Sequence, residues 1–187
     1  DARFAIVSDL DDTVIKTRST ELLQELAIIF GKGAHSRTVL PGIAPFYQAL
    51  VNSPGDAEPN PIFYVSLSGW NLYDLFDEFM AKHDLPVGPL FLSDFRLIED
   101  KSPVLGRDHH KFESIDLLLR AYPDLKFVLI GDSGMEDPEL YREIAEKHPG
   151  RIEAIYIHDV SPDDRDREVS RIADQLEADG VPLVAFE

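Results

Sequence analysis

The sequence predicts an α/β fold: a Rossmann-like, doubly wound, mostly parallel sheet with helices on both faces and a small cap or none. Short β-rich runs recur along the chain and are almost continuously apolar, which is typical of strands buried on both faces. Segments with helical periodicity separate these runs. Such alternation indicates parallel strands that are joined by helical crossovers.

The predicted elements follow in regular order. Six predicted strands cover residues 4–8, 62–66, 90–92, 127–130, 152–157 and 182–186. Six predicted helices cover residues 21–30, 43–51, 72–82, 112–122, 138–148 and 163–178. In the third helix, the apolar residues between Trp70 and Phe79 are predicted to form a core face. The first helix (ELLQELAIIF) leaves two interpretations open, because its apolar residues nearly encircle it: a wholly buried helix, or an apolar face beside the ligand-binding edge of the sheet.

Length, charge and composition limit the possible functions. With 187 residues, the chain fits a single domain, and its start at Asp1, almost on the first strand, leads us to expect a domain (residues 1–187) cut from a longer protein. A net charge of −17 argues against broad contact with nucleic acid and repels anionic membranes. The absence of cysteine excludes disulfides and thiolate catalysis. No apolar run approaches the ~20 residues of a transmembrane span.

Polar and charged side chains follow the predicted strands. Because right-handed crossovers place every strand-to-helix loop at one edge of a parallel sheet, we expect these side chains to converge there. The candidates are Asp9 and Asp11 after the first strand, Ser66 after the second, Lys111 at the start of a helix, and Asp132 and Asp137 after the strand at residues 127–130.

This set of residue types suits phosphoryl transfer. Carboxylate oxygens are the ligands that Mg²⁺ prefers, and the cation offsets the repulsion among them. One carboxylate can then attack phosphorus, while a second serves as general acid and base. Lysine and hydroxyl donors stabilise the charge on the phosphoryl oxygens. A solvated turn or a calcium loop is the alternative for the acidic run, although Val14 stands where an EF-hand loop needs glycine.

Four motifs in order resemble those of the haloacid dehalogenase superfamily. They are DxDxT from Asp9 to Thr13, the serine at position 66, the lysine at position 111, and GDxxxxD from Gly131 to Asp137. Within that superfamily, the strings SDLDDTVIKT, TVLPGIAPFY, FYVSLSGWNLYDL, HKFESI and LIGDSGMEDPELY closely resemble the catalytic domain of the actin-patch type of phosphatidate phosphatase and its bacterial relatives. The resemblance covers residues 4–160.

The resemblance implies a role for each acidic residue near the first strand. Asp9 is implied to be the nucleophile and Asp11 the general acid and base. Magnesium is implied to bind Asp9, the backbone carbonyl of Asp11 and Asp132. The implied reaction is the hydrolysis of phosphatidate to diacylglycerol through an aspartyl-phosphate. Residues 13–41 have room for a helix but not for a large lid, so we expect an open crevice that admits a large phosphorylated substrate.

The remaining implied roles concern the phosphate group. Ser66 and Lys111 are implied to bind it, and Asp137 is implied to lie behind the metal ligands or to orient Lys111. Two other functions stay open: a phosphatase for a soluble metabolite or phosphoprotein, and a non-catalytic interaction scaffold. We expect a cytoplasmic location, peripheral at membranes if the substrate is a lipid, and the sequence leaves protein partners unknown.

Overall fold

The computed structural model shows an open, wholly parallel sheet. It describes residues 2–10, 42–52, 58–93, 108–160 and 163–186. Within these ranges six strands pair in the order β3-β2-β1-β4-β5-β6, and each neighbouring pair is parallel. The strands are β1 (Phe4–Asp9), β2 (Ile62–Gly69), β3 (Leu90–Ser93), β4 (Lys126–Asp132), β5 (Ile152–His158) and β6 (Leu183–Phe186). This order confirms the predicted α/β, doubly wound fold.

Five α-helices connect the strands in the described part of the chain. They are α1 (Ile43–Val51), α2 (Tyr73–Lys82), α3 (Asp108–Ala121), α4 (Asp137–Lys147) and α5 (Asp163–Ala178). A single turn of 3₁₀-helix (Trp70–Leu72) precedes α2. The helix predicted at residues 21–30 lies outside the described residues. No helix among those described has both the length and the apolar character needed to cross a bilayer.

Helices cover both faces of the sheet because the strands are apolar on both sides. In β1, Ala5 and Val7 face one cluster, which α3, α4 and α5 complete. Ile6 faces the opposite cluster, which α1 and α2 complete. This alternation follows from the two-residue period of a strand and accounts for the absence of a polar face in β1.

The predicted core face of α2 is wrong for two aromatic residues. Trp70 is 55% exposed and Tyr73 is 42% exposed, and their rings stack on each other 6.1 Å apart. Leu72, Phe76 and Phe79 are buried as predicted. These three positions are spaced i, i+4 and i+7, which defines one stripe of a helix, and the two exposed residues fall outside that stripe.

The strand order reverses next to β1. The chain builds β1, β2 and β3 outward in one direction and then returns to place β4 on the other side of β1. In open α/β sheets, ligands bind in the crevice at such a switch point, outside the carboxyl ends of the strands. Asp9 ends β1 and Asp132 ends β4, so two of the predicted site residues lie at this crevice.

Candidate active site

Three aspartates form a buried group at the switch point, which we call the carboxylate cluster: Asp9, Asp132 and Asp137. One carboxylate oxygen from each residue lies within 4.8 Å of those of the other two. None of the three residues is more than 2% exposed. Removing a carboxylate from water is costly unless a positive charge or hydrogen bonds compensate it, so the cluster requires compensation.

Lys111 supplies part of that compensation. Its Nζ lies 2.7 Å from Asp137 Oδ1 and 3.1 Å from Asp9 Oδ1, and its side chain is 3% exposed. Burial alone would lower the pKa of Lys111, but the charges of Asp137 and Asp9 and the hydrogen bonds to them outweigh burial and raise the pKa above its ordinary value. The ammonium therefore stays charged. The first turn of α3 carries it into the cluster, because this helix begins at residue 108 and not at the predicted residue 112.

Asp137 engages both of its oxygens within the protein. Oδ1 accepts the hydrogen bond from Lys111, and Oδ2 accepts one from the backbone N–H of Asp132 at 3.2 Å. Gly131 makes this approach possible, since a Cβ at that position would overlap Oδ2 of Asp137 and lie 2.9 Å from its Cβ and Cγ. Asp137 thus connects Lys111 to the end of β4.

The backbone that follows β4 holds the carboxylate of Asp132. Its Oδ1 accepts hydrogen bonds from the N–H groups of Gly134 at 2.8 Å and Met135 at 3.0 Å. Residues 133–136, which we call the Asp132 loop, therefore determine how this carboxylate is oriented.

Asp9 is supported from its own strand and from α1. Ser8 Oγ donates to the carbonyl oxygen of Asp9 at 2.7 Å and, with its only proton used, accepts from Tyr47 Oη at 2.6 Å. Burial raises the pKa of Tyr47, so the phenol remains a neutral donor. The sequence did not reveal this contact, because Tyr47 has the pattern of an ordinary core aromatic residue.

Two further residues belong to the predicted site, and the structure describes Ser66 but not Asp11. Ser66 is fully buried in β2, one residue beyond Val65, which pairs with Asp9. Its Oγ accepts a hydrogen bond from the N–H of Ser68 at 2.9 Å. The register thus places Ser66 beside the end of β1. Asp11 lies outside the described residues, so its predicted role as general acid and base, and its carbonyl as a metal ligand, stay predictions.

The Asp132 loop is also attached to the end of β5, which sequence reasoning missed. The Ser133 N–H donates to the carbonyl oxygen of His158 at 2.9 Å. Ser133 Oγ donates to Asp159 Oδ1 at 3.0 Å and accepts from the N–H of Val160 at 2.9 Å. The only signal in the sequence is that Ser133 directly follows Asp132.

The carboxylate cluster has the chemistry of a cation site. Its three carboxylates and one ammonium leave two negative charges within the described residues of the site. Hard oxygen ligands and a surplus of two negative charges fit a divalent cation such as magnesium. Asp137 already engages both oxygens with the protein, which makes it less suited to bind such a cation directly.

Comparisons with known proteins identify the family. A family model described as "Phosphatidate phosphatase APP1, catalytic domain" matches residues 4–159, most of the chain. An uncharacterized protein of Schizosaccharomyces pombe is 28% identical over 162 residues, which cover 85% of this chain and 26% of that protein. Phosphatidate phosphatase APP1 of Saccharomyces cerevisiae is 30% identical over 153 residues, which cover 81% of this chain and 25% of that protein.

The matches cover most of this chain but only a small part of each relative. This chain spans about a quarter of the length of the curated relatives that it matches. No solved structure matches the chain. The family match includes every described residue of the carboxylate cluster, together with Ser66 and Lys111. The chain therefore belongs to the family of phosphatidate phosphatase APP1 catalytic domains, which confirms the predicted class of phosphatase hydrolase.

Proposed function

We propose that this chain is a magnesium-dependent phosphatase that hydrolyses phosphatidate to diacylglycerol and phosphate through an aspartyl-phosphate on Asp9. The observation that carries the proposal is the buried carboxylate cluster at the switch point, with the ammonium of Lys111 at 3.1 Å from Asp9 Oδ1. A carboxylate and an ammonium that lie together at the switch point supply the nucleophile and the anion-binding group that phosphoryl transfer requires. The order of the motifs supports placing the site among haloacid dehalogenase-like phosphatases.

Asp9 would act as the nucleophile. A carboxylate oxygen forms a bond to phosphorus while the bond from phosphorus to the glycerol oxygen breaks, and the departing oxygen receives a proton from Asp11. A water molecule that has lost its proton to Asp11 then attacks phosphorus, which releases phosphate and restores the carboxylate. The hydrogen bond from Ser8 to the Asp9 carbonyl supports this role, because it fixes the backbone that carries the nucleophile.

Lys111 and Ser66 would bind the phosphoryl oxygens. An ammonium that stays charged stabilises the negative charge that the transition state spreads over these oxygens. The contact of Lys111 with Asp137 supports this assignment, since it holds the side chain in one position before substrate arrives. We propose that Asp137 positions Lys111 and does not bind the metal directly.

Asp9 and Asp132 would hold magnesium, together with the backbone carbonyl of Asp11. Bound there, magnesium would neutralise the surplus carboxylate charge and polarise a phosphate oxygen. The hydrogen bonds of the Asp132 loop support the assignment of Asp132, because they orient its carboxylate without a substrate.

Phosphatidate is the finer part of the proposal. Its support is the family description and the name of the budding-yeast relative. A lipid substrate would require peripheral contact of a cytoplasmic domain with a membrane, and the net charge of −17 opposes approach to an anionic bilayer. That charge favours a soluble phosphate ester or phosphoprotein as the second candidate substrate.

A substrate comparison tests both parts of the proposal. We expect the chain to release inorganic phosphate from phosphatidate in uncharged detergent micelles with magnesium. We expect a chelator to abolish this release, because it removes the cation whose charge compensates the carboxylates. The assay measures phosphate release from phosphatidate, from a small aryl phosphate and from a phosphopeptide, each with magnesium and with chelator.

Each outcome of the comparison has a distinct meaning. Hydrolysis of the aryl phosphate or phosphopeptide without hydrolysis of phosphatidate would leave the phosphatase and contradict the lipid substrate. Equal rates with magnesium and with chelator would contradict the metal site. No phosphate release from any ester in magnesium would contradict the whole proposal and favour a non-catalytic scaffold.

A further inference from the structure

Arg165 of α5 binds the Asp132 loop. Its Nε donates to the carbonyl oxygen of Ser133 at 3.2 Å, and its Nη2 donates to that of Met135 at 2.9 Å. Glu139 accepts from both terminal nitrogens, at 2.5 and 2.6 Å, and Glu168 accepts from Nη1 at 2.7 Å. All five N–H donors of the guanidinium therefore have an acceptor. No other side chain offers five donors, so only arginine can make this set of contacts.

A single peptide group joins Arg165 to the carboxylate of Asp132. The carbonyl of Ser133 and the N–H of Gly134 belong to one planar unit, so fixing the oxygen also fixes the direction of the N–H. The oxygen accepts from Arg165, and the N–H donates to Asp132 Oδ1 at 2.8 Å. A positive charge on the carbonyl side also polarises the unit and strengthens the N–H as a donor.

A second contact extends the same connection. The Met135 N–H donates to Asp132 Oδ1 at 3.0 Å, while the Met135 carbonyl accepts from Arg165. Arg165 thus binds the carbonyl groups that precede and follow the two N–H groups holding the Asp132 carboxylate. Glu139, in the first turn of α4, fixes the guanidinium through two parallel hydrogen bonds, and this bidentate geometry leaves the arginine little freedom to rotate.

We propose that Arg165 is a positioning residue for Asp132, which acts through the Asp132 loop to set the affinity of the carboxylate cluster for a divalent cation. This inference rests on the proposed function for its metal. Arg165 lies beyond residues 4–159, to which the family model extends, and its side chain is 22% exposed. Its five hydrogen bonds go to the loop carbonyls, Glu139 and Glu168, so its influence on Asp132 passes through the loop backbone.

Replacing Arg165 tests this role by the affinity for magnesium. We expect Arg165→Gln to weaken the apparent magnesium affinity by roughly 10- to 100-fold, as the loss of an outer hydrogen-bond partner does in other metal sites. The affinity is measured from the rise in melting temperature with magnesium concentration and from titration calorimetry, neither of which requires turnover. Activity should return towards that of the unchanged protein as magnesium approaches saturation.

Two further variants separate positioning from charge and from general stability. Arg165→Lys keeps the charge but has only three donors, so we expect weakened magnesium affinity there too, and this variant serves if the glutamine variant does not fold. Arg167→Gln removes an exposed arginine from the same helix and should leave the affinity unchanged. A lysine variant with unaltered affinity, or a glutamine variant whose melting temperature falls equally at all magnesium concentrations, would overturn the proposal.

Amide exchange tests the contact without any metal. In metal-free buffer, the amides of Gly134 and Met135 should exchange with solvent faster in Arg165→Gln than in the unchanged protein and in Arg167→Gln. Unaltered exchange at both amides would overturn the role of Arg165. A wild-type chain that does not respond to magnesium would contradict the proposed function instead, while exchange would still decide whether Arg165 orders the loop.

Discussion

Asp9→Asn should lower the rate of phosphate release by at least roughly a thousandfold, because an amide cannot take the place of a carboxylate nucleophile. The melting temperature in metal-free buffer should not fall, since the substitution removes one of three buried carboxylates that lie close together and repel one another. Magnesium should raise the melting temperature of the variant much less than that of the unchanged protein. Phosphate release and thermal unfolding measure these effects.

An exposed aspartate supplies the matched control for Asp9. Asp77 lies on the solvent side of α2, so Asp77→Asn makes the same chemical change without touching the site. We expect the control to keep its activity and its response to magnesium. Comparable turnover in the Asp9 variant and the control would contradict the assignment of the nucleophile.

Lys111→Met should lower the free energy of unfolding by about 3–5 kcal/mol and abolish most activity, because it leaves the carboxylates of Asp9 and Asp137 buried without their ammonium partner. The raised pKa of Lys111 means that its stabilisation is fully present below the unfolded pKa of about 10.4 and is lost only as the pH rises through the higher folded value. The difference from the unchanged protein should therefore stay constant between about pH 6 and about pH 9.

Lys126 offers a control, because it forms an ammonium–carboxylate pair at the protein surface. Its Nζ lies 2.8 Å from Glu153 Oε2, but the two side chains are 54% and 48% exposed. Lys126→Met should change the free energy of unfolding by less than about 1 kcal/mol, because water already screens the pair. Chemical denaturation in metal-free buffer measures both variants. An equal loss of unfolding free energy in the two variants would contradict the claim that burial makes the contacts of Lys111 more stabilising than a surface pair.

Much of the fold was predictable because strands buried on both faces leave a strong pattern. The six apolar runs appear as six parallel strands, and the boundaries differ by a few residues at most. The largest difference is at β2, which continues to Gly69, and its register with β3 shifts between Ser66 and Gly69. The exposure of Trp70 could not be predicted, because the 3₁₀ turn before α2 changes which positions face the core.

The site was predictable where chemistry and position in the fold coincide. Asp9 and Asp132 end neighbouring strands, so a parallel sheet brings them together whatever the intervening sequence is. The contacts of Tyr47 with Ser8 and of Arg165 with Ser133 span 39 and 32 residues and have no local pattern. Such pairings depend on how helices pack on the sheet, which a single sequence does not reveal.

The most direct measurement for the proposed mechanism is the location of the phosphoryl group during turnover. The chain is mixed with a labelled phosphate ester and magnesium, quenched rapidly in acid, digested and mapped by mass spectrometry, with Asp9→Asn treated in parallel. We expect the label on Asp9 in the unchanged protein and no label on the corresponding peptide of the variant. Rapid phosphate release with no labelled residue, or label on a residue other than Asp9, would contradict the aspartyl-phosphate mechanism.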